Sequence, residues 1–232
     1  ISFIKKIPKE LNIIIIENDN NSIIQKLIKK RKNIKIFNKK NNGVATALNF
    51  AVKKIKTKYF VQISPDIKFH YKSLEKFINE ANKLDDKFAA LGPRFTNVNP
   101  KSHVQIDQKL KIGSISSIHG SFLFINKKKF NEIGCYDENI FLYFEETDYC
   151  KRGILKKLKS FQINSIKAQQ VGRSVILKSY KEEGKMANLL AWHFIWSKFY
   201  YYKKHYGLIY SSMYFLPILI RIIFKLIIKK KD

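Results

Sequence analysis

Short apolar runs alternate with polar breaks along the first half of the chain. Leu11 to Ile16 is rich in β-branched residues and stops at Glu17-Asn18-Asp19-Asn20-Asn21. This is the pattern of a buried strand whose carboxyl end opens into a polar turn. Ser22 suits an N-cap, and Ile23, Ile24, Leu27 and Ile28 then share one face of a helix reaching Arg31. Asn33 to Phe37 predicts a second strand. Val44 to Lys54 predicts a helix with Ala45, Leu48, Ala51 and Val52 inward, and Tyr59 to Ile63 a third strand ended by Ser64-Pro65-Asp66. Phe69 to Leu84 reads as a helix, and Phe88 to Leu91 as a strand running into Gly92-Pro93-Arg94. Phe95 to Ser117 is polar and irregular, with short strands at most. Gly120 to Asn126 reads as a strand, and Lys127 to Ile133 as a short helix stopped by Gly134. Strand and helix in alternation predict βαβ units and a mainly parallel sheet. Ligands then sit beyond the carboxyl ends of strands, where Glu17 and Asp66 fall.

The pattern changes near Met186. Up to Tyr206 it is aromatic and basic by turns, with Trp192, Phe194, Trp196, Phe199, Tyr200, Tyr201 and Tyr202 set among Lys198, Lys203 and Lys204. Leu208 to Ile228 is almost wholly apolar, interrupted by Pro217, Arg221 and Lys225 and followed by Lys229-Lys230-Lys231. That length suffices to span a bilayer. Arg221 and Lys225, four apart on one helical face, favour instead a helix lying in the interface with its cations at the headgroups.

Composition narrows the class. With 232 residues, 45% hydrophobic and 14% aromatic, the chain is too apolar for a disordered basic tail. Nine Gly, five Pro and two Cys exclude collagen-like and disulfide-scaffold readings. The formal net charge is +27, yet arginine occurs only at Arg31, Arg94, Arg152, Arg173 and Arg221. Lysine therefore supplies nearly all the basic charge, spread along the chain and without the preferred bidentate reader of bases and phosphates. A solvated lysine surface is the expectation, with attraction to anionic lipid open and no nucleic-acid partner. Cys135 and Cys150 lack metal-ligand spacing and suit a reducing compartment, and Ile1 to Glu10 show no signal-peptide pattern.

The clearest carboxylate cluster is Phe141-Leu142-Tyr143-Phe144-Glu145-Glu146-Thr147-Asp148, followed by Tyr149-Cys150-Lys151-Arg152. A helix first turn enriched in acids, with Asp148 paired to Arg152 at i,i+4, accounts for part of it. A carboxylate set against aromatics, with its pKa raised toward that of a general base, accounts for the bulky run as well. Both readings stand on spacing alone. Pro65-Asp66 suits a turn, or a lone carboxylate holding Mg2+ or Mn2+ while substrate phosphates complete the coordination. Asn42-Gly43 suits a loop, or a backbone set close to a phosphate or sugar.

In their order these segments resemble family 2 glycosyltransferases of the GT-A fold, in particular the rhamnosyltransferase-like bacterial enzymes. Ile13 to Asn18 resembles that family's strand ending in Asp-Asn. Asn42-Gly43 through Asn49, then Tyr59 to Asp66, resembles its Asn-x-Gly segment, helix and strand ending in Asn-Pro-Asp or Asp-x-Asp. Gly120 to Arg152 resembles its acceptor-side signature. The resemblance covers about residues 11 to 180. It implies a three-layer α/β/α fold, Glu146 as general base with Glu145 beside it, and Glu17, Asn18, Asn42 and Gly43 toward the nucleotide. It further implies Asp66 as ligand for Mn2+ or Mg2+ and the diphosphate, and Gly120, Asp137 and Asp148 on the acceptor side. Departures are Glu17 and Glu146 where Asp is usual, each one C–C bond (~1.5 Å) longer, and Ser64 in place of an acid. Gln170, or Gln169, stands where many relatives carry a metal-binding His.

The expectation is a GT-A-like domain over residues 1–180, with the family's first strand falling before Ile1, and a membrane-associating helical tail over 186–232. Its activity would be inverting transfer of a sugar from a UDP- or dTDP-linked donor to a lipid-linked or cell-surface glycan. Its place would be the cytoplasmic face of the inner membrane, peripheral or monotopic. A second reading is a relative that binds nucleotide-sugar or glycan with little turnover. A third, a basic nucleic-acid-binding protein, leaves Glu145-Glu146 unexplained.

Overall fold

The apolar runs do form strands in a computed structural model of the chain, which describes residues 8–18, 31–98, 104–171 and 180–229. The helix expected from Ser22 lies outside the described residues, Arg31 excepted. Among those described, strands β1 (Ile13–Glu17) and β2 (Ile34–Asn38) form a parallel ladder of their own, with Glu17 opposite Asn38. The larger sheet contains β3 (Tyr59–Ile63), β4 (Ile67–Phe69), β5 (Phe88–Phe95), β6 (Ile112–Ile115), β7 (Phe122–Asn126) and β8 (Lys159–Gln170). Its order is β3-β7-β5-β8-β4, with β6 also paired to β8.

The fold class stands, but the expectation of a mainly parallel sheet is corrected. Among the described residues only β1–β2 and β5–β8 are parallel; β3–β7, β5–β7, β4–β8 and β6–β8 are antiparallel. Parallel neighbours need a crossover, usually a helix. Here β4 follows β3 after only Ser64, Pro65 and Asp66, and the described part of the chain between β5 and β7 carries β6 and no helix. The helix expected from Phe69 is also shorter: α2 begins at Ser73, because Phe69 belongs to β4 opposite Ala168.

Alternation in β7 builds two cores. Leu123 and Ile125 pack with Ala45 and Val52 of α1 (Val44–Lys54), Phe130 of α3 (Lys127–Ile133) and Tyr149 of α4 (Glu145–Leu155). Phe122 and Phe124 pack on the other face with Phe77 and Ala81 of α2 (Ser73–Lys83). Helices on both faces make three layers. A Cβ on Gly153 would lie 2.6 Å from that of Ala89, so α4 rests directly on β5. Asn126 caps α3 through the Lys128 and Lys129 amides, and Gly134 ends it with φ +106.

β8 is the element that hydrophobic periodicity conceals. Ser160, Gln162 and Asn164 are buried in it. Each has partners: Asn164 Nδ2 donates to the carbonyls of Asp107 and Leu110, and Arg94 donates to its Oδ1. The stretch 104–111 supplies partners to Gln162 and Asn164, and Ser160 donates to Cys150 Sγ.

At the C-terminus, α5 (Tyr180–Tyr206) and α6 (Leu208–Lys229) meet at Gly207, whose φ is +88. They pack through Phe199 on Phe215 and Tyr202 on Tyr214. Among the described residues no helix is long and apolar enough to cross a membrane.

Candidate active site

The two adjacent glutamates open α4, and the bulky run before them is a strained turn. Tyr143 and Phe144 have φ of +65 and +69. Left-handed backbone at non-glycine residues costs on the order of 1–3 kcal/mol each and persists where the surroundings over-determine it. The turn leaves Glu145 buried, with Oε2 lacking any hydrogen-bond partner. Burial, and then the neighbouring Glu146 carboxylate, push the Glu145 pKa up to about 8. Glu146 is half-buried at the surface. Burial raises its pKa as well, opposed by its own and Thr147's amides and by the Thr147 hydroxyl, which lies 3.4 Å from Oε1. Ser117 Oγ in turn sits 3.2 Å from Thr147 Oγ1.

Gly120 brings the sheet to this carboxylate. A Cβ at Gly120 would stand 3.0 Å from Glu146 Cδ and 3.1 Å from Oε2, so only glycine leaves the contact relaxed. The Gly120 carbonyl accepts from Gln62 Nε2 at 2.7 Å, and Gln62 Oε1 accepts from the buried Tyr136 hydroxyl at 2.5 Å. The next residue, Ser121, accepts the Ser64 amide at 2.9 Å. The start of β7 therefore joins the Ser64-Pro65-Asp66 strand end to the Glu146 turn.

Asp66 and Gln170 are brought together as well. Gln170 Nε2 donates to Asp66 Oδ2 at 2.9 Å, and the Asp66 carbonyl accepts from Val171. Among the described residues no group of three or more His, Cys, Asp or Glu lies together to hold a metal. The donor set here is one carboxylate and one amide. That fits a hard divalent cation whose remaining positions are filled by phosphate oxygens and water, as Mg2+ usually prefers. Glu17, at the end of β1, is 6% exposed and both its carboxylate oxygens lack partners. Such a group is costly to leave unpaired and is poised for a polar ligand.

His119 escapes a reading based on acids and glycines. Its ring packs on Phe95 with centroids 4.6 Å apart, and its Nδ1 lies 2.7 Å from Ser121 Oγ. The signal that points to it is a polar residue just before the Gly120-Ser121 entry to a predicted strand.

Among the other expected residues Gly43, Asn49, Asp137 and Asp148 make structural contacts, and Asn18 and Asn42 are exposed. Asn42 is exposed, while Gly43 is buried with φ +97, and a Cβ there would lie 2.6 Å from the Phe141 carbonyl oxygen. Asn18 follows β1 in a bend. Asn49 exchanges hydrogen bonds with the Tyr136 backbone at 2.9 and 3.0 Å. Asp137 holds Lys204 at 2.7 Å and Tyr200 at 3.0 Å. Burial alone would raise its pKa, but Lys204 and Asn139 hold it at about 2. Asp148 is fully buried among Arg152, Lys204 and His205 at 2.8, 2.8 and 2.9 Å. Any part it takes on the acceptor side runs through the elements it ties. A cleft of about 770 Å3 lined by Lys56, Lys58, Lys127, Lys128 and Lys129 lies at the opposite end of β3 and contains no candidate residue.

The family model described as Glycosyl transferase family 2 matches residues 2–150. A protein of Rickettsia typhi named as an uncharacterised glycosyltransferase is 35% identical over 117 residues, which is 45% of this chain and 37% of that one. The chain thus spans little more than a third of this relative's length. A mannosyltransferase from Pyrobaculum calidifontis, solved with GDP-Man and Mn2+, aligns with a TM-score of 0.59 and 12% identity over 83% of this chain and 57% of that one. TarS of S. aureus, solved with UDP-GlcNAc, aligns with a TM-score of 0.56 and 13% identity over 81% and 59%. At such identities the structural likeness establishes the fold.

Proposed function

Because this chain belongs to glycosyl transferase family 2, we propose that it transfers a sugar from a nucleotide-sugar, UDP- or dTDP-linked, to a glycan on a lipid carrier. The transfer inverts the anomeric centre, with Glu146 as general base. The observation that carries this is the half-buried Glu146 carboxylate against Gly120, beside a second glutamate whose buried Oε2 has no partner. Burial lifts the pKa of both carboxyls, which brings Glu146 closer to that of a hydroxyl-activating base. Glu146 takes the proton of the acceptor hydroxyl as that oxygen attacks the anomeric carbon, and the bond to the nucleoside diphosphate breaks on the far side. Glu145, largely protonated at neutral pH, keeps a second negative charge away from the pair.

Glu17 would accept from the donor's base or ribose, which supplies the partners its oxygens lack. Asp66, with Gln170 beside it, would hold Mn2+ or Mg2+. When bound, that cation offsets charge on the departing diphosphate. The acceptor would approach over Gly120 and the Asp137 side. The exposed apolar surface of α5 and α6, including Trp192, Trp196, Ile209 and Met213, supports an acceptor held at a membrane. With the chain's lysines, this surface favours the cytoplasmic leaflet.

Titration with UDP, dTDP, GDP and CDP, with and without Mn2+, tests the donor half of this reading. Metal-dependent binding of one diphosphate, abolished by Asp66→Ala, is expected. Glu146→Gln should keep that binding and lose on the order of 100- to 10,000-fold in transfer rate. Retained binding with transfer indifferent to Glu146→Gln would support the weak-turnover relative instead. Gln170, where imidazole or carboxylate would bind Mn2+ better, is the observation that favours that alternative.

A further inference from the structure

The strained turn at Tyr143 and Phe144 is held between two helices. Phe144 occupies the N-cap position of α4 without a side-chain cap bond. One end of the run is tied to α1, since the Phe141 carbonyl accepts from the Val44 amide at 2.7 Å. The rest is enclosed by α5. Phe141 stacks on His193 at 4.5 Å, Tyr143 and Phe144 meet Phe194 at 5.8 and 5.5 Å, and Phe144 meets Tyr201 at 5.6 Å. Ser197, fully buried, donates to the Leu142 carbonyl at 2.7 Å.

The C-terminal turn of α5 grips the same helix turn that carries the glutamates. Lys204 and His205 both reach Asp148 Oδ1, and Lys204 also reaches Asp137. The Asp148 amide donates to the Phe144 carbonyl at 2.8 Å, so Asp148 and the strained residue share one hydrogen-bonded turn. Arg152 holds Asp148 Oδ2 from within α4 and also bonds the carbonyls of Ile133 and Cys135. The carboxylate is thus fully committed, and α5 supplies two of its three side-chain partners.

We propose that α5 is a strap that positions the catalytic turn. Ser197, Lys204 and His205 are positioning residues, which act through Leu142 and Asp148 on the placement of Glu145 and Glu146. What the placed carboxylates do rests on the transferase reading above; the mechanical tie rests on the contacts alone. The outer side of the strap carries Trp192 and Trp196, 61% and 47% exposed.

The test uses the full chain and the variants Ser197→Ala, Lys204→Met and Lys204→Arg. Hydrogen–deuterium exchange reads the turn directly. Release of nucleoside diphosphate from UDP-GlcNAc and dTDP-rhamnose, with a bacterial lipid extract as acceptor source, reads turnover. In Lys204→Met, exchange in residues 141–147 should rise roughly tenfold while β5 and β7 stay protected. Its kcat should fall roughly tenfold or more with donor KM within about twofold. Lys204→Arg should restore both, and Ser197→Ala should show a milder form of the same split. Unchanged exchange in Lys204→Met and Ser197→Ala would overturn the strap. Faster exchange with undiminished kcat would overturn the positioning role. A wild-type chain that releases no diphosphate from either donor sinks the transferase reading instead, and exchange then decides the strap alone.

Discussion

Glu145 and Glu146 are chain neighbours with different surroundings. The first is enclosed with an unpartnered oxygen, and the second borders Gly120 and Thr147. The folded chain keeps a proton on Glu145 up to about pH 8, well above the ordinary 4.5. Unfolding releases that proton anywhere between those two values. Its contribution to stability is therefore complete below pH 4.5, declines as pH rises and is lost by about pH 8. Urea denaturation at about pH 5, 7 and 9 should show wild-type stability falling along this window and a flatter profile for Glu145→Gln. The sequence made these two acids legible as a cluster. It left catalysis and helix-start acidity equally open, because spacing cannot report which oxygen is enclosed.

At the scale of elements, the site is assembled by close approach. The start of α1 meets the acid-bearing turn at Gly43, the start of β7 meets it at Gly120, and α4 rests on β5 at Gly153. Gly43→Ala combines a left-handed φ with a Cβ 2.6 Å from backbone, so it should destabilise the fold by about 1–3 kcal/mol. Chemical denaturation would measure it, with the variant retaining wild-type stability as the contrary result. Helices with clean periods, α1 and α3, and the strand β3 were legible to the residue. β8 was not, because Gln162 and Asn164 take inward positions that look solvent-facing until the segment holding Asp107 and Leu110 covers them. Strand direction is hidden for a related reason: β7 arrives without a crossover helix, and apolar runs carry no direction.

On the scale of the molecule, a sheet covered on both faces is joined to two helices whose outer surface is unusually apolar. Ile195, Tyr210, Leu216 and Leu219 are exposed there, beside the two tryptophans. With a net charge of +27, the chain should bind vesicles of anionic lipid, with a blue shift in Trp192 and Trp196 emission that weakens as salt is raised from about 0.05 to 0.5 M. Emission indifferent to both anionic and zwitterionic vesicles would count against the membrane reading.

Read alone, the sequence determined the fold class, the order of the strand ends and which acids to examine, since these follow from local periodicity and from residue types at fixed spacing. It also anticipated the pairing of Asp148 with Arg152, one helical turn apart. Tertiary structure alone decided strand direction, the depth of β8, the enclosure of Glu145 and Glu17, and the second employment of Asp148 through Lys204 and His205. Each of these depends on residues far apart in the chain meeting in space. Burial and strain belong to the assembled surroundings, and no short window of sequence contains them.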